Sequence, residues 1–376
     1  MTASRILLCV STLLTAAAHA DDAPAVISLA EIDGRSWLTR PDGTPFFAHG
    51  ITHVGTVRHG IPHGRIAAAC RELGFNAFGY GCPEPLKQEL PYIEGINYLV
   101  PISTYRGEES FKFIDIFDPQ QQRIITGKVR NLCEKNRDNP NLIGYCWTDL
   151  AAWPRDDKRG RSWVDFIREL PPAAPGRRAY DDFVATHPDL GPEAVDKEFL
   201  RLIARTYFRV VGEANFAHDP HHLVFGDRFA FPTVLPVVVE EMLPYVDAIA
   251  VQPPFQPDFP RARFDQIHKL TGKPIVICDF AIRFRDGDKA IRGWRPLEDD
   301  DAAGKAYADY VYEAFETPYV VGVFWCNLVD SPPSFGKGGI KQGLFGDDLA
   351  LRPGLSLAVR IINGYLEANT PPAPAQ

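Results

Sequence analysis

The sequence predicts a single (β/α)₈ barrel, and three observations carry that expectation. Eight short apolar runs alternate with helix-type segments along the chain. Each run ends in polar or aromatic residues, as barrel strands do where they feed the functional rim. No Gly-x-Gly-x-x-Gly turn follows the first run, and a doubly wound dinucleotide-binding sheet would want one there. The length, 376 residues, suits one large barrel with insertions, which spans ~200 to over 400 residues.

Residues 1–20 read as a secretory signal. Arg5 supplies the positive start, residues 6–18 the apolar core, and Ala18-His19-Ala20 a small-x-small site cut after Ala20. The apolar run is too short to span a bilayer, and Asp21-Asp22 follows at once. The mature chain is thus expected to be secreted or periplasmic, with no membrane segment after cleavage. Residues 21–30 read as a linker, residues 31–368 as the barrel, and residues 369–376 as a disordered Pro/Ala tail.

A β-hairpin is expected over 31–45, on the turn signals Asp33-Gly34 and Pro41-Asp42-Gly43. The eight strands are placed at 46–51, 75–80, 98–103, 141–149, 223–228, 247–252, 274–280 and 320–329. Helices are expected at 65–73, closed by Gly74, and at 119–137, opened by Asp118-Pro119. Others fall at 193–214, 264–270, 304–315 and 355–366. Residues 155–192 read as an insertion after strand four, with a helix at 162–170, because they are too few and too polar to build a core of their own.

Net charge is −8, and no Lys/Arg-rich tract stands out, which argues against nucleic acid and anionic membranes as partners. Six of the seven cysteines lie beyond the signal. Cys146, Cys278 and Cys326 fall inside apolar runs, where buried free thiols are expected. No Cys-x-x-Cys pair suggests structural zinc, and no cofactor is expected. The sequence says nothing of oligomeric state.

At the predicted strand ends stand His49, His53, Asn76, Tyr80, Trp147, Asp149, Arg228, Gln252, Asp279, Trp325 and Asn327, with Asp227 and Asp330 beside them. Aromatic faces stack on pyranose rings, amides and carboxylates bind hydroxyls, and two carboxylates can cleave a glycosidic bond. The set points to a carbohydrate partner. Asp279 is the candidate nucleophile or base and Asp149 the candidate general acid; the others are candidate sugar-binding residues. Either aspartate could instead cap a turn, Trp325 could be core, and Arg228 could simply pair with Asp227. His53, His59 and His63 offer a rival metal site on the functional face, while His218-Asp-Pro-His-His222 sits in a helix-to-strand connection at the opposite face.

The stretch Asn141-Leu-Ile-Gly-Tyr-Cys-Trp-Thr-Asp-Leu-Ala-Ala-Trp153 resembles the strand-four signature of clan A glycoside hydrolases, in particular the β-agarase-like group, where it runs Gly-Tyr-Phe-x-Asp-Asn-Glu-Leu-x-Trp. Trp37-Leu38, Phe46-Phe47, Asp219-Pro-His-His-Leu-Val-Phe-Gly-Asp-Arg228, Lys273-Pro-Ile-Val-Ile-Cys-Asp-Phe280 and Val321-Gly-Val-Phe-Trp325 extend the resemblance over nearly the whole mature chain. It implies a barrel acting on a polysaccharide or oligosaccharide, with galactans such as agarose among the substrates. Carried over by position, the family's acid/base glutamate falls on Leu150, the asparagine before it on Asp149, and the nucleophile on Asp279. Leu150 cannot transfer a proton. The chemistry is therefore either shifted to Asp149 and Asp279, or lost in a glycan-binding pseudo-enzyme. An aspartate is shorter than a glutamate, which widens the gap between the pair. That favours an inverting or inactive site over the family's retaining one, since retention needs carboxyls ~5–5.5 Å apart.

Overall fold

The computed structural model describes residues 25–55, 60–95, 114–149, 153, 161–230, 235–285, 296–326, 328–330, 341–346 and 349–373. Strands β1 (Ser28–Ile32), β2 (Arg35–Thr39) and β3 (Pro45–Phe46) form a small antiparallel sheet. The expected hairpin thus gains a third strand and starts inside the presumed linker. Its tight turn needs positive φ at Asp33 and Gly34, the conformations that Asp-Gly adopts readily.

Eight parallel strands close the barrel: β4 (Ala48–Ile51), β5 (Ala77–Phe78), β6 (Tyr92–Gly95), β7 (Leu142–Asp149), β8 (Leu223–Ala230), β9 (Ile249–Gln252), β10 (Ile275–Phe280) and β11 (Val320–Trp325). The ring runs in chain order from β4 to β11, and β11 pairs with β4 to complete it. One strand is misplaced in the sequence reading. The third barrel strand is β6 at Tyr92–Gly95; the run at 98–103 lies outside the described residues. Tyr92-Ile93 was hidden because Glu94-Gly95 breaks the apolar pattern after only two residues.

The helices are α1 (His63–Leu73), α2 (Pro119–Asn136), α3 (Trp163–Arg168), α4 (Pro175–Thr186), α5 (Pro192–His218), α6 (Pro236–Met242), α7 (Arg261–Thr271), α8 (Asp300–Phe315) and α9 (Pro353–Asn369). Their ends follow local chemistry. Asp118 caps α2 by accepting from the Gln120 amide at 2.8 Å, with Pro119 in the first turn. Gly74 closes α1 at φ 80°. Ser162 and Asp165 form a reciprocal capping box on α3. Helix α6 was not foreseen, and α9 runs on to Asn369, to the edge of the expected tail.

Two cores result. One lies between strands and helices. The other fills the barrel, where Ile143, Phe225, Val276 and Phe324 interdigitate with the small Ala48, Ala77 and Ala250. Leu38 and Phe46 of the antiparallel sheet join this interior cluster. The Ser36 amide bonds to Pro318, just before β11, so the small sheet plugs the N-terminal mouth. The opposite, C-terminal rim is left for function. The six described cysteines are buried free thiols, as expected for Cys146, Cys278 and Cys326. Among the described residues, no helix is long and apolar enough to cross a membrane.

Candidate functional site

Asp279 is buried near the end of β10, and both its oxygens accept hydrogen bonds. Thr52 Oγ1, just beyond β4, donates to Oδ1 at 2.7 Å, and the Tyr80 hydroxyl donates to Oδ2. Asp279 is thus an acceptor on both atoms. His53 Nε2 lies 3.2 Å from the Tyr80 hydroxyl and 3.9 Å from Asp279 Oδ2. His53 has φ 55°, unusual for a side-chain-bearing residue, and its side chain is 43% exposed. It is the member of this group that solvent reaches.

Asp149 ends β7 opposite Arg228 of β8, and Arg228 Nη2 lies 2.8 Å from Asp149 Oδ1. The same guanidinium stacks on the Tyr80 ring, 3.2 Å from its centroid. A line of contacts therefore crosses the rim from Asp149 through Arg228 and Tyr80 to Asp279. Arg228 is itself buried, so its charge is matched by Asp149 rather than by water.

Asp227 and Arg228 are neighbours that face opposite ways. The expected Asp227–Arg228 pair is not what forms. Gly226, at φ 70°, breaks the regular alternation of β8. Asp227 turns outward and accepts from the Thr148 amide at 3.1 Å, Trp153 Nε1 at 3.1 Å and the Tyr207 hydroxyl at 3.0 Å. Burial pushes its carboxyl up to about 6, against the pull of those donors. Its work is to fasten the segment after β7 onto α5.

Four expected sugar-binding residues sit elsewhere. His49 is wholly buried, with Nδ1 2.6 Å from Asn363 Oδ1 and Nε2 2.6 Å from the Tyr307 hydroxyl. Asn76 precedes the short β5 and so lies toward its N-terminal end, where it braces the His49 amide and the Phe47 carbonyl. Trp147 faces α5, bonded to Asn215 at 3.2 Å and packed on Phe208. Trp325 is enclosed by Phe280 and Tyr307 and donates to the Gln342 carbonyl at 2.8 Å. For His49, Trp147 and Trp325 the reason is strand pleat: residues at alternate positions of a barrel strand face the helices. Gln252 ends β9, half-buried and opposite Ala230. Asn327, His59 and Leu150 lie outside the described residues. Asp330 is a buried anchor: it accepts from the Gln342 and Gly343 amides and pairs with Arg352.

Sequence reasoning missed Thr52 and Cys326. Thr52 stood next to His53 at a strand end, which was a usable signal. Cys326 was read as core, and burial, reinforced by the Asp279 carboxylate, does push its thiol well up. Yet His53, Asp279 and Cys326 each bring one metal-ligand atom, all within 4.8 Å of one another. His63 opens α1 and belongs to no such group among the described residues. His222, by contrast, is buried and paired with Asp219 at 2.8 Å just before β8, at the stability face.

No protein-family model matches the chain. Over 135 residues it is 26% identical to β-agarase B of Vibrio sp. (strain JT0107), a stretch covering 36% of this chain and 14% of that protein. Its fold matches the crystal structure of an agarase (TM-score 0.75, 18% identity) over 92% of this chain and 64% of the other. An exo-β-agarase structure gives TM-score 0.77 and 15% identity over 92% and 65%. The chain is thus similar to a β-agarase in sequence over that stretch, and to agarases in fold. It spans less than two thirds of the length of these agarases, and what they share in structure is the fold. A β-glucuronidase from an uncultured Clostridium sp. has the same barrel at TM-score 0.56 and 13% identity. Asp149 and Asp279 occupy the ends of the fourth and seventh strands; the resemblance placed the nucleophile on Asp279 and the acid/base glutamate on Leu150, the residue after Asp149.

Proposed function

We propose that the protein is an agarase-like glycoside hydrolase acting on a polysaccharide or oligosaccharide, with galactans such as agarose as the first substrates to try. The observation that carries this reading is Asp279, whose two oxygens are fixed by Thr52 and Tyr80 at the end of the seventh strand. Such fixed donors orient the carboxylate without consuming all its lone pairs, and they suit a nucleophile or a base. Asp149 is the candidate acid, and Arg228, Tyr80, His53 and Gln252 are candidate sugar contacts. Asp279→Asn should lower hydrolysis by at least the 10²–10⁴-fold typical of losing an acid–base group. Unchanged release of reducing ends by Asp279→Asn would remove the assignment.

A second reading has its own support. Asp149 stands in an ion pair with the buried Arg228 guanidinium at 2.8 Å, a partner that competes with a role as acid. A barrel that binds glycan without cleaving it would use this ion pair to hold sugar hydroxyls. Glycan binding that persists in Asp149→Asn and Asp279→Asn, with no reducing ends from any of the three proteins, favours binding alone. Export is part of the proposal, supported by the pattern of residues 1–20, and N-terminal sequencing of the secreted chain should begin at Asp21.

A further inference from the structure

We propose that His53, Asp279 and Cys326 form a binding site for a single zinc-class divalent cation at the C-terminal rim of the barrel. The ligand atoms are a ring nitrogen, a carboxylate oxygen and a sulfur, and all lie within 4.8 Å of one another. A tetrahedral site with bonds of ~2.0–2.3 Å needs its ligands about 3.3–3.6 Å apart. His53 Nε2 and Asp279 Oδ2 are already at 3.9 Å. The contraction required is at most about 1.2–1.5 Å, within the reach of a half-exposed imidazole turning about its side-chain bonds.

The donor set selects the metal. Magnesium and calcium want shells of oxygen, and this group offers one carboxylate. A nitrogen–oxygen–sulfur set suits zinc, and cobalt(II) as its spectroscopic substitute. Three protein ligands leave a fourth position open, as in zinc sites that bind a water or a substrate oxygen. The open side is the one His53 faces, since Asp279 and Cys326 are buried. Thr52 and Tyr80 already hold the Asp279 carboxylate by hydrogen bonds, the outer support that metal-bound carboxylates have. Two guanidinium groups stand near: Arg228 beyond Tyr80, balanced by Asp149, and Arg283, whose charge favours the Cys326 thiolate. On binding, the cation takes the sulfur lone pair and the thiol proton leaves to solvent.

The site stands apart from the hydrolytic reading, because Asp279 can act on a sugar only while no cation holds it. Zinc should therefore inhibit any hydrolysis, and a chelator should restore it. The decisive test does not need activity. The full chain, stripped with a chelator and dialysed, is titrated with Co²⁺ alone. A thiolate-to-cobalt charge-transfer band should saturate at one equivalent and vanish on adding Zn²⁺. Cys326→Ser should abolish the band, and His53→Ala, at an exposed position that spares the fold, should weaken binding at least tenfold. Absence of the band, its survival in Cys326→Ser, or unchanged affinity in His53→Ala overturns the proposal. Loss of hydrolysis in Asp279→Asn, with no cobalt band in the native chain, would keep Asp279 as the catalytic carboxylate and discard the metal site; a cobalt band in the native chain, with hydrolysis intact in Asp279→Asn, would keep the metal site and discard Asp279 as the catalytic carboxylate.

Discussion

His49 and Asp227 show how burial sets what a residue can do. Burial lowers the His49 imidazole to about 4, partly offset by its bond to Asn363, so the folded chain holds it neutral. Unfolded, it takes a proton near 6.5. Its contribution to stability is present above about pH 6.5 and is lost as pH falls toward 4. Asp227 acts in the opposite sense. Its folded value of about 6 exceeds the unfolded value near 4, so its contribution is present below about pH 4 and is lost as pH rises through 6. Each effect is on the order of 3 kcal/mol, and the two partly cancel between pH 4 and 6. His49→Gln should unmask a stability that falls as pH rises across that window, and Asp227→Asn one that rises. Urea unfolding at pH 4.5 and 6 measures both slopes; slopes of the same sign would contradict the assignment. The types of these residues were visible in the sequence, but their roles were not, because a histidine at a strand end reads the same whether it faces sugar or Asn363.

Among the elements, β8 decides most about the site. A Cβ on Gly226 would meet Met242 Sδ at 2.4 Å, and its φ of 70° is one that L side chains rarely adopt. Only with this glycine can Asp227 reach the helices while Arg228 reaches Asp149 and Tyr80. Gly226→Ala should therefore cost ~1–3 kcal/mol and weaken glycan binding together, by denaturation and by titration with oligosaccharide. A change in stability with binding intact would separate the bulge from the site. At α2, far from the rim, Asp118→Ala should cost about 1 kcal/mol through the lost cap and leave binding alone. Helix ends such as Asp118-Pro119 and Gly74 were legible because capping is local. Trp147 and Trp325 were misread because the face a strand residue takes depends on register, which is fixed between strands and not within one.

For the whole molecule, the two ends of the barrel divide the work. Leu38 and Phe46 close the N-terminal mouth, and the charged contacts gather at the other rim. Leu38→Ala should cost 2–5 kcal/mol, typical of a buried leucine, with glycan affinity unchanged. A parallel loss of affinity would mean that the ends are coupled. By itself the sequence determined the barrel, since alternating apolar runs and helix signals recur at short range and survive one misplaced strand. It also determined that the fourth and seventh strands would carry Asp149 and Asp279, because chain order fixes strand order in a ring built of successive β-α units. Only the tertiary structure decided their partners. Arg228 turns to Asp149 rather than to its neighbour Asp227, and Thr52, Tyr80, His53 and Cys326 gather on Asp279 from three other strand ends. Such contacts depend on closure and bulges that bring distant residues within ångströms, and no local pattern encodes those distances.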